Sequence, residues 1–368
     1  MTTVGILGGG QLSRMLALSG YPLGLHFQIY DPATTAPVDG VAPHIIAEYS
    51  DETALAHFAE TVDVITYEFE NVPVATAEFL AQSTPVYPPP LALAVAQDRL
   101  TEKTFLRKVG IPTPAFVAVD SLMDLERAVA TIDIPAVLKT RRMGYDGKGQ
   151  YVIRQPEDVV TAWEALAGTS LILEGFVNFD RELSILAARN RSGQIAMYPL
   201  VQNTHRDGIL RLTIAPAPAV DATLQSLATT YATAVLEELD YVGILAIELF
   251  QVGSTLLANE MAPRVHNSGH WTIEGAATSQ FAQHLRAILD LPLGMTTVTQ
   301  FVAMVNLIGN VPPTEAVLRI PNTYLHLYDK SPRPGRKLGH ITIIAATDAE
   351  RAERIEQVQS LLAAIPSF

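Results

Sequence analysis

Two carboxylates stand where carboxylates are expensive. Glu248 interrupts the apolar run Gly-Ile-Leu-Ala-Ile-Glu-Leu-Phe at 243–250, and Glu260 interrupts Thr-Leu-Leu-Ala-Asn-Glu-Met at 255–261. Apolar runs of this length bounded by turn residues read as buried strands, and Gly253-Ser254 between them makes a hairpin. A carboxylate in a buried strand is costly unless it is paired. Two on adjacent strands repel unless a cation sits between them, and Mg²⁺ is held by one or two carboxylates plus substrate phosphates. The alternative is that each acid pairs with a nearby arginine. Side chains alternate faces, so the loop decides whether the acids meet. A three-residue loop, 252–254, sets Glu248 against Ala258 and Ala246 against Glu260, with both acids on one face. A two-residue loop would separate them. Three-residue hairpins containing glycine are common, and the odd loop is the expectation.

Lys139 ends a predicted strand at 135–140. Arg141-Arg142-Met143-Gly144-Tyr145-Asp146-Gly147-Lys148-Gly149-Gln150 follows, then a strand at 151–153. Glycines let backbone amides approach phosphates closely, and the cations add charge. Glu174 ends the apolar part of a strand that breaks at Gly175; its acid and the backbone of Phe176 and Val177 suit the edge of a purine. Glu182 opens the next strand, 181–186. His205 sits in a polar stretch, 203–208, predicted as a loop; a lone histidine there reads as structural or surface. A second basic segment carries Lys330, Arg333, Arg336 and Lys337 among prolines and glycines. It reads as an anion site or as a solvated basic turn.

At the N-terminus a strand at 3–7 runs into Gly8-Gly9-Gly10 and a helix with Leu12, Met15 and Leu16 on one face. A strand, a glycine turn and a helix N-terminus make a phosphate-ready site. A dinucleotide fingerprint wants a third glycine where Ser13 stands. Asp31, after a second strand at 26–30, is the candidate ribose-binding acid. The alternative is the tight turn of an ordinary α/β unit. A helix at 53–60 and a strand at 63–67 lead to Glu68 and Glu70. Those acids lie at the edge where α/β sheets bind ligands, or cap a helix that begins near Pro73. Residues 86–90 read as a stiff connector.

These groups need elements to hold them. A helix over 98–109 carries Arg99, Lys103, Arg107 and Lys108, and Gly110 stops it. A helix from Asp221 delivers the chain to the acidic hairpin. A helix at 279–289, strands at 301–308, 324–328 and 341–345 and a helix at 348–364 complete the chain. A length of 368 residues with 48% hydrophobic content supports two or three domains. No apolar run is long enough to span a membrane, and no basic segment precedes Val4, so no signal peptide is expected. Absence of cysteine excludes disulfides, a thiol nucleophile and Cys-ligated metal. A net charge of −13 argues against nonspecific nucleic-acid binding.

The order and content of these motifs resemble the ATP-grasp superfamily along nearly the whole chain. Within it the chain looks like the 5-(carboxyamino)imidazole ribonucleotide synthases, ATP-dependent carboxylases of purine biosynthesis. The residues that carry the likeness are Gly-Gly-Gln-Leu-Ser-Arg-Met at 9–15, Gly-Tyr-Asp-Gly-Lys-Gly-Gln at 144–150, Asn-Glu-Met-Ala-Pro-Arg-Val-His-Asn-Ser-Gly-His at 259–270, Tyr-Asp-Lys at 328–330 and Arg-Pro-Gly-Arg-Lys at 333–337. The resemblance implies an α/β and α+β architecture. A Rossmann-like domain would span 1–97 and an ATP-grasp domain 98–298, with a lid at about 110–172. A small β-rich domain, 299–368, would pack near the first.

The resemblance also implies roles. Arg99 and Lys139 would contact ATP phosphates under the loop Gly144, Tyr145, Asp146, Gly147, Lys148, Gly149, Gln150. Glu174, Gly175, Phe176 and Val177 would hold adenine, Glu182 the ribose hydroxyls, and His205 would border the nucleotide. Glu248 and Glu260, beside Asn259, would hold Mg²⁺ or Mn²⁺. Tyr145, Asp146, Arg264, His266, Asn267 and Ser268 would surround bicarbonate and the aminoimidazole, with Asp146 positioning the amine. Lys330 and Arg336 would take the ribonucleotide phosphate, shared with the turn at Gly10, Gln11 and Leu12. Ser13 and Met143 depart from residues common in the family, which puts loop mobility in question. A cytoplasmic homodimer is implied. Other readings are a different ATP-grasp ligase (a formate-using transformylase, an amino-acid ligase or a biotin carboxylase), a dehydrogenase built on the N-terminal turn, or a nonenzymatic nucleotide-binding module.

Overall fold

Val4, Ile6 and Leu7 are fully buried because their strand, Thr3–Leu7, lies inside a parallel sheet. Its order is His44–Ile46, His26–Asp31, Thr3–Leu7, Val64–Tyr67. The computed structural model describes residues 1–144, 147–298 and 300–365. Helix Gln11–Gly20 buries Leu12, Ser13, Met15 and Leu16. Gly20 lets it approach the sheet, since a Cβ there would lie 2.3 Å from the Phe27 ring. Residues 86–90 are more than a connector: Pro90 starts a helix, Pro90–Ala96, as proline's fixed φ favours at a first helical position. Asp98 then caps helix Arg99–Lys108 through the amides of Leu100 and Thr101, at 3.0 and 3.3 Å.

The next unit is a four-stranded antiparallel sheet in the order Phe116–Val119, Leu171–Gly175, Ala136–Thr140, Gln150–Ile153. Helices Leu122–Ile132 and Asp158–Leu166 bury Leu125, Ala128, Val159 and Ala162 in a core shared with its strands.

The third sheet is the largest, with nine strands. Its edge is the acidic hairpin, Gly243–Val252 with Thr255–Ala262, followed by Arg181–Arg189, Val201–Arg206 and Ile209–Ala215. The polar stretch 203–208 is therefore a hairpin, contrary to the loop expected. Asp207 and Gly208 both have positive φ, 55° and 73°, the Asp-Gly turn whose twist matches paired strands. The C-terminal strands do not form a sheet of their own. Phe301–Ile308 pairs with Ile209–Ala215, then Lys337–Ala345 and Thr323–Leu327 follow. That pairing satisfies the row of amides and carbonyls the 209–215 edge would otherwise expose. It also brings the basic segment 330–337 toward the acidic hairpin, with Lys337 lining the same cavity as Glu248 and Glu260.

Candidate functional site

The hairpin reaches the expected outcome by a different route. Val252 pairs with Thr255, so the loop is the two-residue Gly253-Ser254. Alternation would then put the acids on opposite faces, but the register slips between Glu248 and Leu249. Leu249 opposes Ala258, and Glu248 opposes Glu260. Asn259 is the extra residue of a β-bulge, a device that re-aims side chains beside active sites.

The two acids differ in environment. Burial, then repulsion from Glu260, raises the Glu248 carboxyl to about 7. Burial also opposes ionisation of Glu260, but Arg99 outweighs it and holds that carboxyl at about 2. The Arg99 guanidinium donates to Glu260 Oε2 at 2.9 Å and to the Gly144 carbonyl at 3.3 Å. So an arginine partner is present for Glu260, while Glu248 has no arginine among the described residues and faces the more distant His205, His266 and Lys337. Asn259 Oδ1 is buried with no partner. Two opposed carboxylates with a third open oxygen form the hard donor set that suits Mg²⁺. Among the described residues no group of three or more His, Cys, Asp or Glu could hold a metal alone. The set therefore fits a cation whose remaining ligands come from substrate oxygens and water.

A cavity of about 310 Å³ lies over these acids, lined by Arg99, Lys139, Gly147, Lys148, Gln150, Phe176, Glu182, His205, Phe250, His266 and Asn267 among others. The antiparallel sheet supplies one wall and the nine-stranded sheet the other. Phe179 stacks on Phe250 at 4.7 Å and 5°, leaving an apolar wall for a flat base. Glu182 Oε2 meets His205 Nδ1 at 2.7 Å. Burial would lower the His205 pKa, but Glu182 and Glu248 raise it. Glu174 carries two ion pairs on one carboxylate oxygen, with Lys139 at 3.0 Å and Lys103 at 3.2 Å. Its other oxygen is buried without a partner. Arg141, part of the expected cation cluster, is tied to Asp98 by two bonds of 3.0 and 2.8 Å. Tyr145 and Asp146 lie outside the described residues.

A second cavity shares Arg99, Glu260, His266 and Lys337 with the first and adds Glu70, Gly144 and Arg264. Arg264 pairs with Glu70, so Glu70 neither caps a helix nor stands free. The amide of Ser268 donates to His266 Nδ1 at 3.3 Å, and its hydroxyl lies 2.8 Å from the same nitrogen. An accepting Nδ1 leaves the proton on Nε2, which faces Glu248 at 3.7 Å. Burial, reinforced by Arg264, pushes His266 down to about 3, so the ring is a neutral donor at physiological pH. Both amide atoms of the Asn267 side chain are buried without partners beside the cavity. Gln280 was not foreseen: its side chain accepts from the His266 amide at 2.9 Å and donates to the His266 carbonyl at 2.7 Å.

The cleft continues through Lys337 to Gln11, Lys330, Arg333 and Arg336. Lys330 contacts Gln11 Oε1, joining the two basic-site candidates. Burial lowers Lys330 to about 8; Arg336 and Lys337 push the same way against the pull of Glu68. A crowded, partly desolvated cation of this kind favours an anion. The glycine turn itself is filled. Glu68 accepts from the amides of Gly10, Leu12 and Ser13, the latter two at 3.0 Å. Asp31 accepts from Gly9 and Ala33 at 2.9 and 2.7 Å. Glu68 thus takes the amides a dinucleotide pyrophosphate would need, the Asp31 carboxylate that would accept from a ribose is engaged by backbone amides, and the dehydrogenase reading falls. Ser13 donates to the Gly8 carbonyl at 2.6 Å, which staples the turn and does not loosen it.

Comparison with known proteins decides what this constellation belongs to. Family models match as the ribonucleotide synthetase preATP-grasp domain at 1–97, the ATP-grasp domain at 104–281 and the phosphoribosylaminoimidazole carboxylase C-terminal domain at 302–354. The N5-carboxyaminoimidazole ribonucleotide synthase of Pseudomonas aeruginosa is 51% identical over 361 residues, covering 98% of this chain and 99% of that one. The chain belongs to the N5-carboxyaminoimidazole ribonucleotide synthase family. The Thermus thermophilus synthetase structure superposes with a TM-score of 0.94 at 54% identity, covering 99% of this chain and all of that one (100%). The Aspergillus clavatus synthase, solved with ADP and 5-aminoimidazole ribonucleotide, superposes at 0.91 with 32% identity, covering 99% of each chain. The family is an ATP-grasp ligase family, which agrees with the ATP-grasp reading of the motifs.

One buried acid of the chain, Glu102, was not singled out from sequence. Its carboxylate accepts from the Met261 amide at 2.6 Å. Burial, then Glu260, raises its carboxyl from 4.5 to about 8. A raised folded-state pKa means the folded protein holds the proton more tightly. Stability from this group is full below about 4.5 and is lost as pH rises through about 8. Glu102→Gln keeps the acceptor and removes the titration. We expect its melting temperature to exceed wild type by more at pH 9 than at pH 5; an equal difference at both would remove this carboxylate from the pH dependence.

Proposed function

We propose that the chain carboxylates the exocyclic amine of 5-aminoimidazole ribonucleotide, using ATP and bicarbonate and giving 5-(carboxyamino)imidazole ribonucleotide, ADP and phosphate in purine biosynthesis. The observation that carries this reading is the continuity of the cleft. A nucleotide cavity with opposed acids and phosphate-facing cations runs through His266 and Lys337 into a second cationic pocket at Gln11, Lys330 and Arg336. A nonenzymatic nucleotide module has no use for the second pocket.

Bicarbonate is a poor electrophile. Its oxygen attacks the γ-phosphorus of ATP, the bond to the ADP oxygen breaks, and carboxyphosphate results. Arg99 and Lys139 are placed to hold charge on the transferring phosphoryl group, where positioning and electrostatics supply most of the catalysis. Glu248, Glu260 and Asn259 would hold Mg²⁺ or Mn²⁺, which when bound neutralises phosphate charge. Glu182 and His205 suit the ribose hydroxyls; Phe176 and Phe250 suit the base, with Gly175 and Val177 flanking. The amine then attacks the carboxyl carbon, phosphate leaves, and the amine loses a proton. Arg264, His266 and Asn267 line the region proposed for this step, Ser268 sits behind His266 and fixes its ring, and Asn267 offers unpaired donor and acceptor atoms. The expected division into 1–97, 98–298 and 299–368, a homodimer and a cytoplasmic location follow from the resemblance; no described helix is long and apolar enough to cross a membrane.

ADP release with Mg-ATP should require both bicarbonate and the ribonucleotide, with matching loss of free amine. Brisk release with formate or an amino acid would move the assignment to another ATP-grasp ligase. Asp146→Asn should bind ATP nearly as wild type and carboxylate more slowly. A wild-type carboxylation rate would remove Asp146 from the chemistry.

A further inference from the structure

Lys103 lies on helix Arg99–Lys108 with no solvent exposure at all. Burying a lysine is costly unless its ammonium is fully engaged, and this one faces two different sheets. Toward the antiparallel sheet it meets Glu174 Oε2 at 3.2 Å, the oxygen that Lys139 also takes at 3.0 Å. Toward the nine-stranded sheet it donates to the Asn259 carbonyl at 2.9 Å. Asn259 is the bulge residue that sets Glu260 opposite Glu248. One buried cation thus ties the phosphate-facing lysine on one wall of the cavity to the acidic bulge on the other. Glu174, only 2% exposed, is the shared anchor.

We propose that Lys103 and the Glu174 carboxylate form a positioning strut. The strut fixes the separation between Lys139 and the Glu248–Glu260 pair, so that both engage the same triphosphate. Lys103 does not line the nucleotide cavity, and it acts through Lys139 and Asn259. The inference rests on the nucleotide reading of that cavity. Its signature is coupling: in wild type a divalent cation and ATP strengthen each other's binding, because the two walls are held in register.

The test is calorimetric titration of the full-length protein with ATP, with and without Mg²⁺, beside steady-state ADP release. Lys103→Met keeps the apolar stem and removes the ammonium. We expect metal-free ATP affinity within about threefold of wild type. The Mg²⁺ enhancement of ATP affinity should fall about tenfold or more, and kcat should fall more than KM rises. Where Lys103→Met fails to fold, Lys103→Gln removes the ammonium, keeps a polar group in the buried site and leaves the Glu174–Lys139 pair intact. The positioning role requires that this second variant, folded by circular dichroism, still lacks the enhancement. Wild-type enhancement and kcat in either folded variant would reduce Lys103 to a packing residue and overturn the proposal. Loss of all ATP binding by the wild-type chain would instead sink the nucleotide reading beneath it.

Discussion

Glu260→Gln is expected to lower kcat for ADP release by about 10²–10³-fold, the cost of removing one preorganised charge from a transition state. Two losses combine in that variant. The hairpin keeps a single ionisable acid, Glu248, so a cation there loses one of its two carboxylate ligands. Arg99 also loses its charged partner and keeps at most a neutral amide acceptor at 260, which loosens the guanidinium from the position that spans the acidic hairpin and the Gly144 carbonyl. Metal-free ATP binding should change little, because Lys139, Glu182 and His205 are untouched. The Mg²⁺ concentration for half-maximal activity should rise at least tenfold. Glutamine at 260 with unchanged Mg²⁺ dependence would mean the opposed acids serve only to balance Arg99. Glu248→Gln tests the partner acid in the same assay, without disturbing Arg99.

Glu68→Ala is expected to cost roughly 3–4 kcal/mol of stability. Three amides at the N-terminus of helix Gln11–Gly20 lose their acceptor. Each orphaned buried donor costs about 1–3 kcal/mol, offset in part because a buried carboxylate no longer has to be desolvated. Burial already raises the Glu68 carboxyl above its ordinary value despite the amides, which is why the net figure stays below the sum. The turn is shaped around this carboxylate, since a Cβ at Gly10 would lie 2.2 Å from Glu68 Oε1. Glu68→Gln retains one acceptor oxygen and should lose about half as much. Denaturant midpoints of both variants decide the matter. An alanine variant as stable as wild type would show that water satisfies the turn equally well.

The Glu68 case also marks where sequence reasoning stopped. Strand, glycine turn and helix were legible at 3–20, because period and glycine placement are local. That the turn's anion is internal was not legible. Its acceptor comes from the end of another strand, and only the pairing of Thr3–Leu7 with Val64–Tyr67 brings it there. Asp31 shows the same limit, since an acid twenty residues after a glycine turn looks alike whether it holds a ribose or two backbone amides. The Asp207-Gly208 turn was legible and was passed over, because the polar residues flanking it hid two strands whose pairing supplies their stability.

Acidic interruptions in apolar runs, a glycine-rich loop after a strand lysine and a basic Pro/Gly segment were all determined by the sequence. Those residue types at those spacings admit few chemistries, and their order carried the family. Tertiary structure alone decided how the parts meet. The bulge at Asn259 put Glu248 against Glu260, although the turn length on its own would have parted them. Strand addition along the 209–215 edge carried the basic segment to the cleft. Lys103 and Gln280 acquired their partners across 156 and 14 residues. Hydrophobic period and turn chemistry act within a few residues and are written locally. Register slips and the partner of a buried charge depend on which surfaces finally pack together, and no local pattern records that.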